Sequence, residues 1–225
     1  MPIQPRAAVF DLDGTLVDNM AFHGRAWVAT AERLGVQATR DQFEREWAGK
    51  TSPEIFEILL GGPQPAAVAA KLAAEKEAAY RELYLPHLAP LPGLFPFLAR
   101  LRSAGVRVAL ATAAPAENRD FILGALGLER AFEVVQGPEG VARGKPAPDI
   151  YLSAAARLGL EGGACVAFED AVNGVRAARA AGMAVVAVLT TAAEADLRAA
   201  GASFAIRDYA SLPGELERYL FDLGP

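Results

Sequence analysis

"VFDLDGTLVDN", residues 9–19, decides how the rest of the chain is read. An apolar run beginning at Ala7 ends in Asp11, skips Leu12, places Asp13 and breaks at Gly14. The spacing predicts a strand over residues 7–13, apolar enough to be buried on both faces of a parallel sheet. Two carboxylates two residues apart at the end of such a strand repel one another, and buried carboxylates are costly to ionise. Something must offset that cost. Along a regular strand the two acids point to opposite faces, so they need not share a role.

Working outward, four more segments have the same buried-strand character: "VRVALAT" (106–112), "FEVVQ" (132–136), "ACVAFED" (164–170) and "MAVVAVLT" (183–190). Helical patterns lie between them. One starts at Pro148, carries Ile150, Tyr151, Ala154, Ala155 and Leu158 on one side, and stops at Gly159; another spans 171–182 and stops at Gly182. Strands alternating with helices imply right-handed βαβ units and a doubly wound, Rossmann-like α/β sheet. Residues 19–88 read differently, as helices alone. Trp27, Ala31 and Leu34 step at helical spacing, Thr39 with Gln42 forms a capping box ahead of the Phe43/Trp47 pair, and Ser52-Pro53 opens a helix closed by Gly61-Gly62. Val68, Leu72, Ala79 and Leu83 stripe a longer one. The expected organisation is an α/β core of residues 1–18 and 89–225 with an all-helical cap, 19–88, inserted after the first strand. The crossings should lie near Val17–Met20 and Leu88–Pro92, with the cap closing over the substrate.

A net charge of −5 with no basic run argues against nucleic acid as a partner. No apolar run approaches the length that spans a bilayer, and no charged leader precedes an apolar segment, so a cytoplasmic protein without membrane attachment is expected. The single cysteine, Cys165, lies in an apolar stretch and reads as packing. The sequence sets no oligomeric state.

Open parallel sheets bind ligands at the carboxyl ends of their strands. Collected there are Asp11 and Asp13, Thr112 followed by Ala113, and Glu169-Asp170, with Lys145 in the loop "ARGKPAPDIY". Singly, each has an ordinary reading: a turn, a strand-end or capping threonine, an acid pair at a helix N-terminus, a solvated lysine. Together they suggest one centre. Converging carboxylates need a cation, and Mg²⁺ takes oxygen ligands while keeping positions for water and phosphate. Lys145 supplies a point charge for phosphate oxygens. The Thr112 hydroxyl and the amides after it, Ala113 first, can donate to an anion. Asp11 can attack phosphorus, and Asp13, beside the turn at Gly14, can move a proton.

These four motifs, "DLDGTLVDN", "ALATAAP", "GKPAPDIY" and "FEDAVNGV", resemble those of the haloacid dehalogenase-like superfamily, in its β-phosphoglucomutase-like and sugar phosphatase subgroup with a helical cap. The resemblance runs along essentially the whole chain. It implies Asp11 as nucleophile and Asp13 as acid/base, with Thr112 and Lys145 on the transferred phosphoryl group. It also implies Mg²⁺ on Asp170, the Asp11 side chain and the Asp13 main-chain carbonyl, with Glu169 beside them or ligating. Asp13 separates the chain from the dehalogenases, which lack the second motif-one aspartate. In the cap, His23 and Lys76 match mutase positions; a helix-surface histidine and a snorkelling lysine are the alternatives. The mutases carry glycine, any residue, serine, arginine in the cap, where this chain reads Gly49-Lys50-Thr51-Ser52. Ser52 replaces the arginine that grips a distal phosphate, and Lys50 substitutes for it only in part. The expected activity is Mg²⁺-dependent hydrolysis of a small phosphorylated metabolite, a sugar or polyol monoester, through an aspartyl-phosphate. A phosphomutase is the alternative. A non-catalytic phosphate-binding protein is disfavoured because no core catalytic residue is missing.

Overall fold

The computed structural model describes residues 4–39, 42 and 51–221. The chain divides into two compact units, residues 1–18 with 89–225 and residues 19–88.

The first unit is a doubly wound α/β domain. Its six parallel strands are β1 (Ala7–Phe10), β2 (Arg107–Ala111), β3 (Val134–Gln136), β4 (Cys165–Glu169), β5 (Ala184–Val188) and β6 (Phe204–Ile206), in the order β3-β2-β1-β4-β5-β6. β1 pairs with β2 on one side and β4 on the other, Phe10 standing opposite both Leu110 and Phe168. The chain runs from β1 through β2 to β3 on one side, then crosses to β4 on the other side of β1, so the order reverses there and the strand ends leave a crevice.

Both sheet faces are buried, which explains the unbroken apolar runs. Ala7 and Val9 join a core with Ile150, Tyr151 and Ala154 of helix α6 (Asp149–Arg157) and Val175 and Ala178 of α7 (Val172–Ala180). On the other face Phe10 stacks on Phe168 at 4.5 Å and meets Phe97 of α4 (Leu94–Ser103) and Tyr209 at 6.2 and 6.1 Å. Helices α5 (Ala116–Leu126), α8 (Glu194–Ala199) and α9 (Gly214–Phe221) complete the unit.

The second unit contains α1 (Met20–Arg33), α2 (Ser52–Leu60) and α3 (Ala66–Tyr84). Trp27, Ala31, Ile55, Phe56 and Leu59 form its small core, with Leu72 and Ala73 packed against them. No helix among the described residues is long and apolar enough to cross a membrane.

Two expectations need correction. β1 stops at Phe10, because a turn begins at once: the N–H groups of Thr15 and Leu16 donate to Leu12 O, and Gly14 takes φ 72°. Asp13 therefore lies in a turn, and the argument from alternating strand faces does not apply to it. The buried row of α3 is Ala69, Lys76, Tyr80 and Tyr84, with Val68 exposed, since a lysine occupies a core position that an apolar-only reading skips. α2 begins at Ser52-Pro53 and ends against Gly61 as expected, with Thr51 as its N-cap, whose N–H donates to Glu54 at 2.6 Å. β6, α8 and α9 were not expected at all. In the helical pattern of 39–47, Gln42 N–H donates to Thr39 Oγ1; Phe43 and Trp47 lie outside the described residues.

Candidate active site

Asp11 follows β1 directly, its N–H donating to Phe168 O at 3.0 Å, so it stands between the ends of β2 and β4. Lys145 reaches this point from the turn before α6. Its Nζ donates to Asp11 Oδ1 at 2.8 Å and to Glu169 Oε1 at 2.6 Å, with Ala111 O at 3.4 Å. Tyr151 of α6 donates its hydroxyl to the same Glu169 oxygen at 2.8 Å. Glu169 Oε2 accepts from the N–H groups of Asp170 and Ala171. A carboxylate has about four acceptor positions, and those of Glu169 are filled by protein donors. The acid thus anchors Lys145. It fits there because Gly174 has no side chain: a Cβ would lie 1.8 Å from Glu169 Oε1.

Asp170 follows β4 directly. It accepts from Thr15 Oγ1 at 3.3 Å and from Thr191. Gly14 passes so close that a Cβ would lie 2.0 Å from Asp170 Oδ2, so glycine is required there for space as well as for its left-handed φ. Asp11, Glu169 and Asp170 are all buried, and one oxygen from each lies within 4.8 Å of the others. Oxygen donors of this kind suit a hard cation such as Mg²⁺.

Burial pushes the Asp11 carboxyl up to about 7. Lys145 opposes the shift, and the charges of Glu169 and Asp13 add to it. Burial also raises Asp170 well above the ordinary carboxylate range. For Lys145 burial favours the neutral amine, but Asp11 and Glu169 outweigh it and hold the ammonium above its usual range. The site is short of positive charge, and a second cation would relieve it.

Thr112, 1% exposed, follows β2 directly, and its Oγ1 accepts from the Ala114 N–H at 3.1 Å. Ala113 follows it, exposed. Arg119 of α5 donates to Ala114 O at 2.7 Å and grips Glu139 through both guanidinium nitrogens, bracing this loop against the loop after β3.

In the helical unit, His23 and Lys76 are both buried, with His23 Nδ1 and Lys76 Nζ 2.9 Å apart. Lys76 also bonds Glu77 at 2.9 Å and lies over the rings of Trp27 and Tyr80, on which His23 stacks. Neither is the surface residue that one reading of the sequence allowed. Ser52 is half-buried at the start of α2; Lys50 lies outside the described residues.

The sequence thus anticipates Asp11, Lys145, Glu169 and Asp170 as neighbours, with Thr112 on the adjoining strand end and Asp13 near enough to shift Asp11. It misses Tyr151, Thr15, Thr190, Thr191 and Tyr209. Tyr151 was read as core, and only its hydroxyl on an otherwise apolar helix face hinted at more. The two threonines after β5 looked like an ordinary strand end.

The chain matches the haloacid dehalogenase-like hydrolase model over residues 5–182. It is 35% identical over 191 residues to β-phosphoglucomutase of Bacillus subtilis, covering 81% of this chain and 83% of that one. It is 35% identical over 188 residues to fructose-1-phosphate phosphatase YqaB of Escherichia coli, covering 80% and 94%. A solved haloacid dehalogenase hydrolase of family IA, variant 3, from Entamoeba histolytica superposes with a TM-score of 0.86 at 27% identity, over 93% of this chain and 96% of that one.

Proposed function

Since the chain belongs to the haloacid dehalogenase-like hydrolases and is an enzyme acting on phosphate esters, we propose that it is a Mg²⁺-dependent phosphatase of a small sugar or polyol phosphate. The observation that carries this reading is the Asp11–Lys145–Glu169 contact at the mouth of β1, with Asp170 beside it. It supports reading Asp11 as the nucleophile, Lys145 as the cation for phosphate and Asp170 as a second acid for the metal.

In the proposed reaction, an Asp11 oxygen attacks phosphorus while the bond to the ester oxygen breaks. Asp13 gives its proton to the departing alkoxide, so an alcohol leaves and Asp11 carries an acyl phosphate. Water then attacks phosphorus and surrenders a proton to Asp13; inorganic phosphate leaves and Asp11 is restored. Lys145 and the Thr112–Ala114 loop hold the phosphoryl oxygens throughout, and Glu169 and Tyr151 keep Lys145 aimed. The Asp11 and Asp170 side chains would hold Mg²⁺, with the Asp13 carbonyl that the family resemblance implies, and Glu169 stays on Lys145. A cation held there would supply positive charge against that developing on the transferred group.

In this reading the helical unit acts as a cap, with His23, Lys50, Ser52 and Lys76 as its candidate substrate-selecting residues. Hydrolysis is favoured over mutase chemistry because Ser52, at the start of α2, cannot fork onto a distal phosphate. Identity to a β-phosphoglucomutase keeps the mutase as the second reading. Phosphorus NMR separates them, with Mg²⁺, β-glucose 1-phosphate, a trace of glucose 1,6-bisphosphate and a panel of sugar and polyol phosphates. Growth of inorganic phosphate from a member of the panel is expected. Conversion of β-glucose 1-phosphate to glucose 6-phosphate without release of phosphate would overturn hydrolysis in favour of the mutase.

A further inference from the structure

Two hydroxyls from beyond the family-matched segment reach consecutive carbonyls of the turn that carries Asp13. Thr190, just after β5, donates Oγ1 to Gly14 O. Tyr209, after β6, donates its hydroxyl to Thr15 O at 2.9 Å. The turn is also tied to Asp170 through the Thr15 hydroxyl, and Gly14 passes close enough to that acid that a Cβ would lie 2.0 Å from Oδ2.

The Tyr209 donor is itself rigid. The residue is 4% exposed, its ring stacks on Phe97 at 5.1 Å and lies 6.0 Å from Phe168, and its own N–H donates to Pro92 O. Burial, with the charges of Asp170 and Asp11, raises its hydroxyl well above the ordinary range, so it remains a donor. Buried carbonyls need partners of some kind. Supplying them from two side chains, rather than from backbone, fixes the orientation of the Gly14–Thr15 and Thr15–Leu16 peptides.

We propose that Thr190 and Tyr209 are positioning residues for proton transfer by Asp13, acting through the Gly14 and Thr15 carbonyls. The inference rests on the acid/base role assigned to Asp13 above. Proton transfer works only within hydrogen-bond reach, and a displacement of about 1 Å costs about 100-fold. Because Asp13 immediately precedes Gly14, a change in the Gly14 ψ or the Thr15 backbone, which these two hydrogen bonds hold, shifts the turn on which Asp13 sits.

The demand for that proton depends on the leaving group, which gives a readout that general loosening of the fold would not move. p-Nitrophenolate departs without protonation. Phenolate, whose conjugate acid has a pKa near that of tyrosine, about 10, needs more help. We would measure kcat/KM, which reports formation of the acyl phosphate, for p-nitrophenyl phosphate and phenyl phosphate. The variants are Thr190→Val, Tyr209→Phe, their combination, and Asp13→Asn. The double variant should lose about 10-fold or more on phenyl phosphate and stay within about 3-fold of wild type on p-nitrophenyl phosphate. Equal losses on the two esters, or no loss on either, overturn the proposal. Asp13→Asn separates the two layers. If it is selective for the poorer leaving group while the double variant is not, only the positioning role fails. If Asp13→Asn also lowers both esters equally, the acid/base reading fails with it. Should the double variant not fold, the single variants are judged by the same criterion.

Discussion

Lys145 is the residue on which the site's charge balance turns. Its ammonium is shared by Asp11 and Glu169, two buried acids on adjacent strands, and its removal strands both. Lys145→Met should therefore lower the unfolding free energy of the metal-free protein by about 3–5 kcal/mol, the usual cost of breaking a buried pair. Urea unfolding checks this. Adding Glu169→Gln should restore part of the loss, because one of the stranded charges is gone; a further additive loss would show that the two residues are not coupled. Asp11, Lys145 and Glu169 were legible only as a group: each has an ordinary reading alone, but the acids end apolar runs and the lysine lies in an adjoining loop of the same α/β domain. Tyr151 was not. A buried tyrosine at helical spacing looks like core, and only the structure shows its hydroxyl on Glu169.

At the scale of elements, the first turn of α7 is shaped around Glu169. Gly174→Ala would place a methyl on the carboxylate and push it, and with it Lys145, out of position. The expected result is a stability loss of about 1–3 kcal/mol, the range for overfilling a packed site, together with a fall in kcat. A thermal melt and steady-state kinetics test the pair of effects; unchanged kcat would show that Glu169 does not steer Lys145. Elements differ in how well the sequence reveals them for physical reasons. β2, β4 and β5 are covered on both faces, so their runs are apolar and easily found. β6 has only three residues, two of them half-buried, and leaves little trace. The extent of β1 was overestimated because Leu12 is apolar and buried although it sits in a turn. The stripe of α3 was misread because Lys76, held by His23 and Glu77, fills a core position with a charged side chain.

For the molecule as a whole, the crowded acids tie stability to pH. Asp11 titrates at about 7 when folded, against an ordinary value of 3.8, so the folded state binds that proton more tightly than the unfolded chain. Its stabilising contribution is full below 3.8 and is lost as pH rises through about 7; Asp170 shifts in the same direction. Metal-free protein should therefore lose stability across this window. Mg²⁺, which binds ionised carboxylates, should raise Tm more above the window than at its acid end. Melts with Mg²⁺ or with chelator at the two pH values measure this. Equal increments at both would place the ion elsewhere.

The central claim is that the phosphoryl group passes through Asp11. Borohydride reduces an aspartyl-phosphate to homoserine, so the direct test is to quench the enzyme during turnover, reduce it and map the modified residue by mass spectrometry. The account predicts homoserine at position 11, and none when Asp11→Asn is treated in the same way. Homoserine at another aspartate, or none at any position while substrate is being consumed, would contradict it.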